Sequence, residues 1–162
     1  MRSAYWYADV AKDLVTSLKF DEMEDAASAL TPAMVEAAQD MQLPPGTIVT
    51  WVTMPHRRLL ERGIDHGRCL ASAVAQELGL PLQQLLKRAR RVPTQRGLPL
   101  EERKQNLIGA FTCTSPVNRP VLLVDDVLTT GATTVTCANV LLEAGAPAVY
   151  VITATKVAPR KP

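Results

Sequence analysis

The sequence predicts an α/β domain, a largely parallel sheet with helices on both faces. Three observations carry that expectation. Short apolar, β-branched runs alternate along the chain with longer stretches of helical periodicity, the element order of strands joined by helical crossovers. Residues 121–124 (VLLV) are apolar at every position, as in a central strand covered on both sides. Asp125 and Asp126 come directly after that run, then a small hydroxyl-rich turn, then another helical stretch. The carboxyl ends of strands are where open α/β sheets bind ligands.

Each element has its own warrant. Residues 8–20 place Val10, Leu14, Val15 and Leu18 on one stripe, predicting a first helix. A second helix is expected after Thr31, with Thr31 as its N-cap and Pro32 at its first position. Pro44, Pro45 and Gly46 punctuate the chain, and residues 47–53 (TIVTWVT) read as a strand. Residues 64–78 carry Leu70, Ala73, Val74 and Leu78 on one helical face, stopped by Gly79. Short strands are expected over residues 80–86 and 109–113. Residues 88–106 between them are polar, basic and broken by Pro93, Gly97 and Pro99, too long for an idle connection. Residues 131–144 form a helix with Val135, Ala138, Leu141 and Leu142 inward, and residues 148–154 form a last strand. The expected organisation is one compact unit: an N-terminal helical hood over residues 1–44 and an α/β core over residues 45–162.

Composition narrows the class. At 162 residues, 47% hydrophobic and 21% charged, the chain suits one globular domain. No run approaches the roughly 18 to 20 apolar residues of a membrane helix, and the N-terminus lacks a signal-peptide core, so membrane insertion and export are not expected. Cys69, Cys113 and Cys137 stand apart with no CxxC spacing. They read as small buried apolar residues in a reducing cytoplasm. Residues 1–44 hold eight acids against three Lys or Arg, whereas residues 56–104 hold eleven Lys or Arg against five acids. Such blocks are either solvated faces or the positive rim of an anion site.

The strand-end motif supplies the chemistry. Ionised Asp125 and Asp126 accept hydrogen bonds and suit vicinal hydroxyls. Gly131 lets the backbone turn tightly, and the next helix points N–H groups and a positive dipole end at the same place. Residues 121–133 resemble the phosphoribosyl pyrophosphate (PRPP) motif of type I phosphoribosyltransferases. In that motif four apolar residues precede two acids, an apolar residue, two variable residues, Thr-Gly, one variable residue and Thr. Asp125, Asp126, Val127, Thr130, Gly131 and Thr133 fill every constrained position. The resemblance implies that Asp125 and Asp126 hold the ribose hydroxyls, directly or through Mg²⁺. It implies that Val127, Leu128, Thr129, Thr130, Gly131, Ala132 and Thr133 wrap the 5-phosphate. The turn Pro55, His56, Arg57 and Arg58 would take the pyrophosphate. Residues 88–106 resemble the mobile loop that closes over PRPP, with Arg103 and Lys104 meeting the departing pyrophosphate.

A wider resemblance covers residues 5–157. The order Arg62-Gly63, Pro93, Gln95, Leu98, Arg103, Asn106 and Phe111 before the Asp-Asp motif is similar to the competence protein F family. Leu18-Lys19-Phe20 resembles that family's amphipathic entry segment. The chain departs from the family pattern at Ile64, Asp65 and His66, where an aromatic residue, Asn and Gln are usual. It keeps one proline, Pro55, where two are usual, and it shows no four-cysteine zinc module before the first helix. The resemblance implies phosphoribosyl transfer from PRPP with Mg²⁺ to a small-molecule acceptor, with release of pyrophosphate. Two other readings stay open: a PRPP- or nucleotide-binding regulator without turnover, and an accessory of DNA uptake using the basic region for nucleic acid or a partner. Tyr5, Trp6 and Tyr7 read either as stacking partners for a base or as packing for the first helix. The acceptor and the oligomeric state, a homodimer included, are not legible.

Overall fold

The structure is a computed structural model that describes residues 1–7, 9–17, 23–88 and 109–158. Its main sheet has four strands in the order β1-β6-β5-β2, all parallel. These are β1 (Arg2–Trp6), β2 (Ile48–Trp51), β5 (Val121–Leu128) and β6 (Val149–Lys156). A separate antiparallel pair joins β3 (Leu86–Arg88) to β4 (Phe111–Cys113). The described helices are α1 (Asp9–Ser17), α2 (Met23–Gln39), α3 (His56–Arg62), α4 (His66–Leu78) and α5 (Ala132–Glu143).

Strand alternation divides the core in two. Leu122 and Val124 point to one face, where they meet Trp51, Ile152 and the apolar sides of α1, α2 and α4, among them Val15, Leu30, Met34 and Leu70. Val121 and Leu123 point to the other face and pack with Ile48, Val151, Leu86 and Phe111 of the hairpin, and Cys137 and Leu141 of α5. Both faces of β5 are therefore covered, which is why residues 121–124 carry no polar side chain. The parallel α/β class with helices on both faces is the observed fold.

Several boundaries differ from expectation, each for a physical reason. Residues 2–6 are a strand: β1 extends the sheet beside β6, with Ser3 Oγ 2.7 Å from Thr153 Oγ1. The N-terminal 44 residues are thus more than a helical hood, since they supply an edge strand and lay α2 against β1, β6 and α4. α2 starts at Met23, so Pro32 lies inside it and Thr31 is not its cap. Thr31 Oγ1 instead donates to Ala27 O at 2.7 Å. Burial of Ala26, Ala27, Leu30, Met34 and Ala38 outweighs the hydrogen bond that Pro32 cannot donate.

The strand expected over residues 80–86 is reduced to a bridge between Val49 and Leu82, and pairing resumes only at Leu86. Pro81 has no N–H; its carbonyl accepts from Val49 N at 2.8 Å, Gln83 N donates to Val49 O at 2.9 Å, and Leu85 N then turns to the Thr50 side chain, donating to its Oγ1 at 3.2 Å. α5 buries Thr134, Cys137 and Leu141, while Val135 and Leu142 are exposed. The helix turns this face inward because Thr134 Oγ1 is satisfied by Gly131 O at 2.9 Å, which lets a hydroxyl sit inside. The last strand, β6, runs to Lys156.

The difference that matters most is the length of β5. It continues four residues past Val124, so Asp125 and Asp126 lie within the strand and not after it. β6 stays paired along this extension, through Asp125↔Thr153 and Val127↔Thr155. On the other side β2 ends at Trp51, opposite Val124. Past Val124, β5 therefore has a strand along one edge and an opening along the other.

Candidate functional site

The opening is a cavity of about 460 Å³ at the carboxyl ends of β2 and β5. Asp125, Asp126 and Val127 line it from β5, and Thr129 and Thr133 from the turn into α5. Val52, Thr53, Met54 and Pro55 line it from the segment after β2. Arg58, Arg62, Asp65, His66 and Gly67 come from α3 and the start of α4, and Arg88 comes from β3. Tyr7 and Val157 complete the wall.

The two carboxylates differ. Successive strand residues leave on opposite sides, Asp125 on that of Leu123, yet the two side chains turn together and share a side-chain hydrogen bond. Asp125 Oδ1 accepts from Asp126 N at 3.0 Å. Burial holds the Asp125 carboxyl well above the usual carboxylate range, and the charge of Asp126 pushes it the same way. Arg88 partly opposes this. Burial also lowers the Arg88 guanidinium, which lies 4.9 Å above the Phe111 ring. The buried Cys137 thiol is pushed up, first by burial and then by Asp125, so Cys137 is a neutral packing residue and no nucleophile.

The turn after β5 is shaped by Gly131, whose φ of 77° lies in the left-handed region. Thr129 and Thr133 reach the cavity, whereas Thr130 Oγ1 accepts from Ala132 N at 3.4 Å and caps the turn. Leu128 is buried, and Leu128, Thr130, Gly131 and Ala132 do not line the cavity. Of the pyrophosphate-turn residues, Pro55 and Arg58 line the cavity; His56 and Arg57 do not. The turn leads into helix α3, which no periodicity in the sequence announces, and Arg57 Nε is engaged 2.8 Å from Glu61 Oε1 on the exposed side. Arg103 and Lys104, and the basic segment from residue 89 to residue 108, lie outside the described residues.

Several cavity residues have no role in the sequence motifs. Asp65 ties the end of β2 to the start of α4: Oδ2 accepts from Trp51 Nε1 at 2.9 Å and Oδ1 from Arg68 N at 3.3 Å. The two elements touch so closely that a Cβ on Gly67 would lie 3.2 Å from Val52 O. His66 is buried, and its Nε2 lies 2.8 Å from Arg62 Nη1. The buried Thr53 Oγ1 has no hydrogen-bond partner. The legible signal is the departure at Asp65 and His66 directly after Arg62-Gly63; nothing in the sequence marks Thr53 or Arg88. Of the aromatic trio, Tyr7 lines the cavity, while Trp6 is 59% exposed with Lys156 Nζ 5.5 Å over its ring, so Trp6 does not anchor α1 by packing. Among the described residues no helix is long and apolar enough to cross a membrane.

Comparison with known proteins fits this geometry. The chain is 34% identical over 153 residues to the DNA utilization protein YhgH of Escherichia coli K12, covering 90% of this chain and 66% of that protein. It is 32% identical over 136 residues to competence protein F of Haemophilus influenzae, covering 78% of this chain and 59% of that protein. The chain is a homologue of the competence protein F and YhgH proteins. It spans at most about two thirds of the length of these curated relatives. No family model matches it. Among solved structures, the PRPP amidotransferase of Bacillus subtilis superposes with a TM-score of 0.58 at 19% identity, over 89% of this chain and 30% of that one. The orotate phosphoribosyltransferase of Aeropyrum pernix superposes with a TM-score of 0.50 at 18% identity, over 82% of this chain and 72% of that one. The fold is that of the type I phosphoribosyltransferases.

Proposed function

We propose that this cavity binds PRPP and that the protein transfers phosphoribose to a small-molecule acceptor, releasing pyrophosphate. The observation that carries this reading is what the cavity brings together: Asp125, Asp126, Thr129 and Thr133 from β5 and the turn after it, with Arg58 and Arg62 from α3 and Arg88 from β3. Ribose hydroxyls find acceptors in the two carboxylates, and the 5-phosphate finds the turn and N-terminus of α5. The diphosphate finds guanidinium groups, which bind phosphate oxygens with charge-assisted hydrogen bonds. Residues of this chain would orient the sugar and stabilise charge; no nucleophilic side chain is required.

Mg²⁺ fits the donor set. Among the described residues no group of three His, Cys, Asp or Glu side chains can enclose a metal. Mg²⁺ needs no such cage, because it takes one or two carboxylates and completes its shell with water and phosphate oxygens. The crowding that raises Asp125 would be relieved by a cation held with Asp126. Bound there with the diphosphate, Mg²⁺ would neutralise charge on the leaving group.

Calorimetry with PRPP and Mg²⁺, then pyrophosphate release across a panel of bases and amines, tests the reading. Binding with acceptor-dependent release supports it. Binding that no acceptor turns into release favours a regulator over a transferase. Two relatives are named for DNA utilization and competence. If PRPP fails to bind while DNA binds with a steep salt dependence, the accessory reading replaces this one.

A further inference from the structure

Arg62 ends α3, is exposed, and lines the cavity. His66 opens α4 with 7% of its surface exposed. Arg62 Nη1 and His66 Nε2 are 2.8 Å apart. A guanidinium can only donate, so Nε2 is the acceptor and the ring proton sits on Nδ1. The two partners are held unequally. The imidazole is fixed by burial and by Asp65, which caps its helix and binds Trp51. The arginine stem belongs to a seven-residue helix with no buried residue.

We propose that His66 is a positioning residue: its Nε2 holds the Arg62 guanidinium against the cavity wall and so presets a contact for an anionic ligand. One N–H of the planar fork is used by His66, and the others remain in fixed geometry for phosphate oxygens. This assignment rests on the reading that the cavity binds the diphosphate of PRPP. It also gives a role to a position where the family resemblance leads one to expect an amide.

The test is calorimetric titration of inorganic pyrophosphate into the wild type and four variants, with PRPP titrated into the wild type alongside. Arg62→Ala is expected to weaken pyrophosphate binding about tenfold, and His66→Leu several-fold. The double variant should bind no worse than Arg62→Ala alone, because His66 acts through Arg62. His66→Gln should recover most of the affinity, since its amide oxygen accepts the same bond. Additive losses in the double variant, wild-type affinity in His66→Leu, or no recovery in His66→Gln would overturn the proposal. If PRPP binds and pyrophosphate does not, the proposal falls and the donor reading stands; if neither binds, both fall. Should His66→Leu fail to fold, the ring ¹⁵N shifts of His66 decide: a neutral Nδ1–H form that shifts in Arg62→Ala supports the assignment, and an Nε2–H form refutes it.

Discussion

Asp125 and Asp126 belong to a strand paired with β6 and rooted in both halves of the core. Arg58 and Arg62, which line the same cavity, ride on α3, which has no buried residue, and Arg88 leaves a three-residue strand. The carboxylates take their geometry from packing that also holds the fold together. The arginines lean on fewer contacts, Arg62 on His66 and Arg88 on the Phe111 ring and the charge of Asp125. Carboxylate placement is therefore costly to change and guanidinium placement cheap, so the two groups should answer mutation differently.

The largest effect should come from the strand. Asp125→Asn/Asp126→Asn should lower PRPP affinity at least about 100-fold by calorimetry, given roughly 1.5–3 kcal/mol per hydrogen bond to a charged group. The same variant should be more stable, by about 1 kcal/mol, because neutral amides escape the desolvation and repulsion that penalise the charged Asp125. A lower melting point would show that the carboxylates support the fold and would erase the contrast. Gly67→Val tests the seam between β2 and α4: an added Cβ would sit 3.2 Å from Val52 O and 3.3 Å from Trp51 Cδ1. A loss of about 2 kcal/mol in urea unfolding is expected.

Among the arginines, Arg58→Ala should weaken pyrophosphate binding about tenfold while leaving the urea midpoint unchanged. Arg57→Ala, one residue away, should change neither binding nor stability by more than about 0.5 kcal/mol, since the Arg57–Glu61 pair is exposed. Equal effects of the two would place the diphosphate elsewhere.

The pH dependence comes from Asp125. Its folded-state pKa is raised, so between the ordinary carboxylate value and the raised one the folded protein binds more protons than the unfolded chain. Stability of the ligand-free protein should fall as pH rises through that window. In Asp125→Asn this part of the slope should vanish; an unchanged slope in parallel melting curves would assign it to another group.

The carboxylate pair is legible in the sequence and the arginine group only in part, and the reason is physical. Residues 121–124 must be apolar to sit in a doubly covered strand, so they announce both the strand and the acidic pair beyond it. Residues 48–51 are equally clear, all four being buried. Strand β1 escapes because an edge strand with Tyr5 and Trp6 exposed has no inward alternation to read. The inward face of α5 is misplaced on paper because Thr134 is polar by type and buried in fact, its hydroxyl satisfied within its own turn. Helix α3 has no apolar stripe because it buries nothing, and Arg88 looks like one more charge in a basic run. Contacts such as Arg62 with His66 join short-range neighbours across Gly63, whose φ of 72° breaks the helical register that would have paired them on paper.

β5 outlasts β2 by four residues, and this mismatch sets which parts of the molecule are free to drift. The β2–β5 register ends at the Trp51–Val124 pair, so the chain from residue 52 to residue 65 carries no strand that could slip. Exchanges between Met54 and Ile64 alter the cavity wall without replacing a buried residue. The single Pro55 and the run Ile64, Asp65 and His66 stand in that stretch or at its edge, beside an Asp-Asp motif with every constrained position intact. The cavity thus joins a wall that holds no core residue from 54 to 64 with a strand, β5, on which the fold depends, and the first can be altered while the second is held fixed.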